Sequence, residues 1–252
     1  MSKTIAIAGK GGVGKTTFSA ILIKILSARG TVLAIDGDPS SNLNLALGMP
    51  LDETVGSVRE EMAVKVKKGK FEAGVSKPDY IEYKIHESLV EGERIDLLAM
   101  GRPEGPGCYC AANNLLRDSI DRLAANYDFV VIDNEAGMEH ISRQTTRDVN
   151  ILFIIADQSV RSIITAGRIK ELIKEIRTKV DEVGLIVNRV QGPLSPELRK
   201  EIANTGLTVL GEIPVDPEIT ALDARGRPIV ELTENSPARQ TIQAIATRSG
   251  LV

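Results

Sequence analysis

The residues best suited to chemistry begin with a glycine-rich segment, Gly9–Thr17, directly after a short apolar run. Its pattern, GxxxxGK(S/T), lets successive backbone N–H groups surround an anion at the start of a helix. In such a loop the lysine, here Lys15, reaches the β- and γ-phosphates, and the hydroxyl of Thr16 holds Mg²⁺. The segment predicts a nucleotide-phosphate site formed by Gly9, Gly11, Gly12, Val13, Gly14, Lys15, Thr16 and Thr17.

A second lysine, Lys10, follows the first glycine of this loop. An ordinary phosphate loop does not need a lysine there, and on the residues alone Lys10 could be a solvated loop residue. The variant KGGVGKTT resembles the deviant Walker A family of dimeric ATPases, which includes the nitrogenase iron protein, MinD and ParA. The resemblance implies that Lys10 crosses a two-fold axis to the phosphates of the other subunit, like an arginine finger supplied in trans.

Two aspartates follow strand-like runs and complete the predicted hydrolytic site. In the resembled family a D-x-D-P segment forms the first switch, so Asp38 matches the carboxylate that orients the attacking water. The alternative for this segment is a simple Asp-Pro turn. Asp133 ends a Walker B run and is placed to hold a water ligand of Mg²⁺. The residues after it match the second switch, in which Gly137 offers its backbone N–H to the γ-phosphate.

The run Asn188–Gln191 indicates which base is bound. It looks like an N-K-x-D motif whose last residue is changed to Gln191. An aspartate there would accept hydrogen bonds from guanine, so its replacement favours ATP over GTP. Asn188 and Arg189, together with the backbone near Pro214, resemble the adenine pocket of the family.

The two cysteines of the chain, Cys108 and Cys110, form a single C-x-C motif. Both sulfurs of such a motif can face one ion, but one chain then supplies only two thiolates. Zinc takes four ligands, and nickel(II) commonly does so in thiolate-rich sites. A homodimer with this loop on its two-fold axis would supply four cysteines. The alternatives are buried thiols or a strained redox pair.

Taken together, these motifs and the run AGMEHISR at 136–143 resemble the nickel-insertion accessory ATPases of anaerobic CO metabolism. These are the CooC proteins of carbon monoxide dehydrogenase and the AcsF proteins of acetyl-CoA synthase. The resemblance implies ATP-promoted dimerisation, nickel (or zinc) held by Cys108 and Cys110, and delivery of nickel to a client enzyme. Asn134 and Glu135 depart from the residues expected in the carbon monoxide dehydrogenase members, which leaves the client open. His140 is a nickel ligand, a base or a structural residue of the switch.

Apolar runs alternate with helical patterns, and this alternation places the motifs. It predicts one α/β domain over residues 1–252, a doubly wound, mostly parallel sheet with the ligand at the carboxyl ends of the strands. Residues 51–92 interrupt the pattern and are predicted to be an insertion with irregular surface structure. The predicted strands are Thr4–Ala8, Val32–Asp36, Ile95–Met100, Phe129–Asp133, Ile151–Ala156, Val183–Val187 and Leu207–Ile213. The predicted helices are Thr17–Arg29, Asn113–Ala125, Ser162–Val180 and Ser195–Ala203.

Composition argues against several other classes of protein. The net charge of −3 gives no electrostatic reason to expect nucleic acid. No apolar run is long enough to span a bilayer, no signal peptide precedes the first strand, and two cysteines are too few for a disulfide scaffold. A cytoplasmic location is therefore expected.

Three rival functions remain to be weighed against the nickel chaperone. An electron-transfer ATPase like the nitrogenase iron protein would need a second cysteine after Walker B, where none occurs. A MinD-like positioning ATPase would end in a basic amphipathic helix, whereas Ser236–Val252 is predicted to have little amphipathic character. A ParA-like one would need a basic DNA-binding face. An iron–sulfur assembly scaffold usually carries C-x-x-C near its C-terminus, a motif that this sequence lacks.

Overall fold

The computed structural model describes residues 2–58, 60–61, 77–101, 118–135, 148–175 and 179–252. Apolar, β-branched runs form strands in these ranges, and amphipathic segments form helices between them. The strands are β1 (Lys3–Gly9), β2 (Val32–Asp36), β3 (Ile95–Ala99), β4 (Phe129–Asp133), β5 (Asp148–Asp157), β6 (Lys179–Val190) and β7 (Thr208–Pro214). The helices are α1 (Lys15–Ser27), α2 (Leu43–Leu47), α3 (Lys77–Glu87), α4 (Val160–Glu175), α5 (Pro196–Thr205), α6 (Pro217–Ala224) and α7 (Pro237–Arg248), with a 3₁₀ turn at Ile229–Glu231 and further helical residues at 118–124.

All seven strands belong to one sheet, in the order β3-β2-β4-β1-β5-β6-β7, and each neighbouring pair is parallel. The carboxyl ends of the strands therefore meet at one edge. β1 lies between β4 and β5, so the segment that follows Gly9 emerges at the middle of that edge. The predicted doubly wound parallel sheet is confirmed, and it brings the motifs after β1, β2, β4 and β6 together.

Both faces of the sheet are covered, which explains why β2 and β4 are fully buried and apolar up to their final aspartates. Along β1, Ile5 and Ile7 point into one core, and Ala6 and Ala8 point into the other; all four are buried. One core packs against α1, α2 and α7. The other packs against α3, α4, α5 and the helical residues 118–124.

The seven predicted strands are all present, but β5 and β6 are longer than their apolar runs indicate. β6 begins at Lys179, in a polar stretch whose side chains are partly exposed, and pairs with β5 from Asp148 onwards. Backbone pairing in a sheet does not require a buried side chain at every position. The apolar pattern therefore locates a strand better than it fixes the strand's ends.

Two helix predictions are wrong. Residues 80–86, predicted to be irregular, lie in helix α3, because Ile81 and Ile85 stand one turn apart and bury their side chains in the core. The predicted helix Ser162–Val180 also ends too late, since Lys179 and Val180 belong to β6.

The prediction for the C-terminal segment also needs correction. Residues 236–252 are predicted to have little amphipathic character, but α7 is amphipathic and buries Ala238, Ile242, Ile245 and Ala246. This apolar face packs against α1 and β7, so the domain itself already covers it. Across the described parts of the chain, no helix combines the length and apolarity needed to cross a membrane.

Candidate functional site

The phosphate loop, residues 9–14, joins the end of β1 to the start of α1 at the middle of the sheet edge. Two of its glycines are required by the geometry. A Cβ on Gly9 would lie 2.2 Å from the carbonyl oxygen of Ile155 in β5, and one on Gly14 would lie 2.5 Å from Nδ2 of Asn188. Gly14 also has φ of 93°, a left-handed conformation that favours glycine, directly before the first residue of α1. Close approach of neighbouring strand ends thus shapes the loop.

Lys15 is buried beneath this loop, and its Nζ donates to the carbonyl oxygen of Lys10 at 3.3 Å. Burial lowers the pKa of Lys15, while the negative charges of Asp133, Asp38 and Glu135 act in the opposite direction. A desolvated ammonium group facing the loop suits the phosphate-binding role predicted for it. Lys10, by contrast, is exposed on the outer side of the loop, where a second molecule could reach it.

Asp133 and Thr16, the predicted magnesium residues, are brought together by β4 and the first turn of α1. The Asp133 carboxylate accepts hydrogen bonds from Thr16 and from Oγ of Ser19, the latter at 3.1 Å. Burial raises the pKa of Asp133 to about 7, these hydrogen bonds lower it, and the charge of Asp36 raises it further. Hydroxyl and carboxylate oxygens are the ligands that Mg²⁺ prefers, and a divalent cation would offset the buried negative charge. The donor set therefore fits magnesium.

Replacing Asp133 by Asn should stabilise the protein in EDTA without nucleotide. The folded-state pKa of about 7 lies above the ordinary pKa of an aspartate, 3.8, so the stability linked to this carboxyl is lost as pH rises from about 4 to 7. Asp133→Asn lacks that pH dependence. At pH 8 it should need more urea to unfold than wild type, because its free energy of unfolding should be higher by on the order of 2 kcal/mol. Urea unfolding at pH 5 and pH 8 measures this difference, with the exposed Asp52→Asn as control. Equal stability of Asp133→Asn and wild type at pH 8 would contradict the prediction.

Asp36 organises the segment that carries Asp38, a role that the sequence does not reveal. Its buried carboxylate accepts the N–H of Asp38 on one oxygen at 3.0 Å and the N–H of Leu43 on the other at 2.9 Å. Burial raises its pKa to about 6. Asp38 itself is partly exposed and accepts the N–H of Ser40 at 2.8 Å, so its second oxygen can take another partner. The one feature of the sequence that could have indicated this role is the position of Asp36, a carboxylate at the end of a buried strand.

The residues predicted to contact the base lie beside the phosphate loop. Nδ2 of Asn188 donates to the carbonyl oxygen of Val13 at 2.8 Å, and the Arg189 guanidinium donates to that of Gly12 at 3.0 Å. Pro214 ends β7 next to Val190 in the β6–β7 ladder. The strands thus bring these residues to the loop, and their contact with a base stays a prediction.

Other predicted site residues, Gly137, His140, Cys108 and Cys110, lie outside the described residues. Within the ranges that the structure does describe, no three His, Cys, Asp or Glu side chains are grouped to hold a metal ion. That finding does not bear on the C-x-C prediction, because neither cysteine is in those ranges.

A glycine loop between a central parallel strand and a helix, a buried lysine and a carboxylate on the adjacent strand define a phosphate-loop nucleotide-binding protein. Residues 4–229 match the model of the CobQ/CobB/MinD/ParA nucleotide binding domain. The chain belongs to this family and is an ATP-binding protein, an ATPase.

Individual relatives agree with this assignment. The chain is 44% identical over 245 residues to an uncharacterized ATP-binding protein of Methanocaldococcus jannaschii, covering 97% of each. It is 32% identical to the carbon monoxide dehydrogenase accessory protein CooC of Rhodospirillum rubrum, covering 91% of this chain and 90% of that protein. Among solved structures, the MinD cell division protein of Aquifex aeolicus superposes with a TM-score of 0.68 at 25% identity, covering 98% and 96% of the two chains.

Proposed function

We propose that this ATPase is a homodimeric metallochaperone that binds nickel between its subunits and delivers it to carbon monoxide dehydrogenase or acetyl-CoA synthase. The observation that carries the proposal is the C-x-C pair, Cys108 and Cys110, in a chain that is 32% identical to a carbon monoxide dehydrogenase accessory protein over nearly its whole length. Two thiolates per chain are half of a four-coordinate site, so the motif makes chemical sense in a dimer.

The geometry of the nucleotide site supports a role for ATP in that dimer. Lys10 is exposed at the outer side of the phosphate loop, whereas Lys15 is buried under it. This difference in exposure supports a division of roles in which Lys15 serves its own subunit and Lys10 serves a second subunit. ATP would join the two chains, and hydrolysis would loosen the interface again.

The cycle follows from these two sites. With ATP bound, two chains associate and four thiolates surround one Ni²⁺, which is the cargo. Asp38 orients a water molecule for attack on the γ-phosphate, giving ADP and phosphate. Loss of the γ-phosphate releases the switches, the subunits separate, and each chain retains only two thiolates. The ion can then pass to the client enzyme.

A positioning ATPase of the MinD or ParA type is the second candidate, because the fold is shared with MinD. Helix α7 gives the MinD form no support, since it uses its apolar face to pack on α1 and β7. A membrane-binding helix needs that face to be free. The overall negative charge likewise gives no support to a DNA-binding face.

The test is nickel stoichiometry in wild type and in Lys10→Ala, with and without a non-hydrolysable ATP analogue. With the analogue, wild type should sediment as a dimer and retain about one Ni²⁺ per two chains. Lys10→Ala should still bind the analogue, since Lys15 is intact, but should stay largely monomeric and gain no nickel from it. Lys24→Ala, which changes an exposed lysine of α1, is the matched control. A fully dimeric Lys10→Ala protein would rule out the trans role of Lys10.

A further inference from the structure

Residues 188–192, at the end of β6 and just beyond it, depart from the regular pairing of that strand with β7; we call this segment the base loop. Arg189 has φ of 57° and Gly192 has φ of 66°, so the backbone turns through the left-handed region twice within four residues. The β6–β7 register also shifts between Val187 and Val190. A segment that departs from the sheet in this way needs other partners for its backbone groups.

One set of partners ties the base loop to the phosphate loop. The side-chain amide of Asn188 donates to Val13, and the guanidinium of Arg189 donates to Gly12. Oδ1 of the Asn188 side chain accepts the backbone N–H of Arg189 at 2.9 Å, which fixes the side-chain amide in one orientation. These contacts fix the beginning of the base loop.

The far side of the base loop is held by Gln158, the residue directly after β5. Its Oε1 accepts the backbone N–H of Gln191 at 2.9 Å, and its Nε2 donates to the backbone carbonyl of the same residue at 3.4 Å. The side-chain amide thus pairs with one residue as a neighbouring strand would. It supplies both backbone partners of Gln191, the first residue after the end of β6.

The backbone of Gln158 is well placed to act as an anchor. It lies between the end of β5 and the first turn of α4, where the Ser159 hydroxyl donates to the Asp157 carboxylate at 2.5 Å. The buried Ser162 hydroxyl accepts the N–H of Asp157 at 3.1 Å, and Ser159 Oγ accepts the N–H of Ser162 at 3.3 Å. This network fixes the junction from which the Gln158 side chain extends.

We propose that Gln158 is a positioning residue for recognition of the nucleotide base, acting through the main chain of Gln191. The inference rests on the proposed placement of the base beside residues 188–191. Because Gln158 holds the base loop and not the hydrolytic residues, its loss should act on nucleotide affinity and base selectivity. Turnover at saturating ATP should be unchanged.

The test compares Gln158→Ala, Gln158→Glu and Gln191→Ala, with ATP and GTP affinities and steady-state hydrolysis measured for each. Gln158→Ala should weaken ATP binding by about threefold to tenfold, which is the contribution of one or two partly exposed hydrogen bonds. It should also reduce the ratio of ATP affinity to GTP affinity. Gln158→Glu keeps the acceptor for the Gln191 N–H and should fall between Gln158→Ala and wild type. Gln191→Ala keeps its main chain and should therefore bind ATP more tightly than Gln158→Ala.

Two further variants separate this inference from its premises. Gln240→Ala removes a single exposed side-chain hydrogen bond at a distant helix and controls for nonspecific destabilisation. Asn188→Ala tests whether the base lies at this loop. Weaker ATP binding in Asn188→Ala with wild-type affinity in Gln158→Ala would overturn the role of Gln158 alone. Wild-type ATP affinity in both Asn188→Ala and Gln158→Ala would overturn the base site as well as the role of Gln158. A lower kcat with unchanged KM in Gln158→Ala would also refute the proposal.

Discussion

Lys15→Ala and Asp38→Ala should each lower ATP hydrolysis by about 100-fold or more, but through different steps. The Lys15 ammonium is buried beneath the phosphate loop, so its removal takes away the charge that holds the phosphates. Asp38 is partly exposed on a loop held by Asp36, and its proposed role is to orient water. Lys15→Ala should therefore bind ATP weakly, whereas Asp38→Ala should bind it nearly as wild type does.

Phosphate release under saturating ATP and calorimetric titration with the nucleotide measure the two quantities separately. Lys24→Ala and Asp52→Ala are matched controls, because both side chains are exposed and lie away from the phosphate loop. Equal losses of ATP affinity in the Lys15 and Asp38 variants would argue against the division of roles. A wild-type rate of ATP hydrolysis in Asp38→Ala would show that Asp38 has no part in the mechanism.

The double variant Cys108→Ser/Cys110→Ser should lose tight nickel binding while keeping ATP hydrolysis. Wild type with the ATP analogue should hold about one Ni²⁺ or Zn²⁺ per two chains, and the variant none above background. In the proposed mechanism ATP and metal stabilise the same dimer, so each should tighten the other's binding, typically by about 1–3 kcal/mol. The thiols must lose their protons to bind, so metal affinity should fall at low pH.

Elemental analysis of the isolated dimer measures the stoichiometry. His86→Ala is the control for a metal-binding side chain elsewhere, since His86 lies on the exposed side of α3. His140→Ala distinguishes a ligand from a structural residue by its effect on metal affinity. The proposed chaperone mechanism would be refuted by one tightly bound ion per monomer whose binding does not depend on dimerisation. Retention of the ion after both cysteines are replaced would refute it as well.

The sequence predicts the parts of this structure that depend on local pattern. Each strand contains an apolar run, so the pattern predicts all seven strands, and the glycine loop predicts its own place between β1 and α1. The pattern does not predict helix α3, because its two buried isoleucines, Ile81 and Ile85, are separated by three residues that include Glu82 and Lys84. A short amphipathic signal of this kind depends on the tertiary surface that receives it.

The site residues that escaped prediction act through backbone groups. Asp36 holds the N–H groups of Asp38 and Leu43, and Gln158 holds the peptide of Gln191. Asp36 acts on N–H groups of its own segment, whereas Gln158 and Gln191 are brought together by the pairing of β5 with β6. Pairings between Gln158 and Gln191, 33 residues apart, follow from the order of strands in the sheet, which the sequence pattern alone does not give.

The central position of β1 has a consequence for how this protein can change over evolution. On one side of β1 lie β4, which ends at Asp133, and β2, which is followed by the Asp38 segment. On the other side lie β5, which is followed by Gln158, and β6, which contains Asn188. A nucleotide laid across this edge would have its reactive phosphate served by one half of the sheet and its base by the other. Selection could then change which nucleotide is bound without changing the rate of hydrolysis. It could also change that rate without changing which nucleotide is bound.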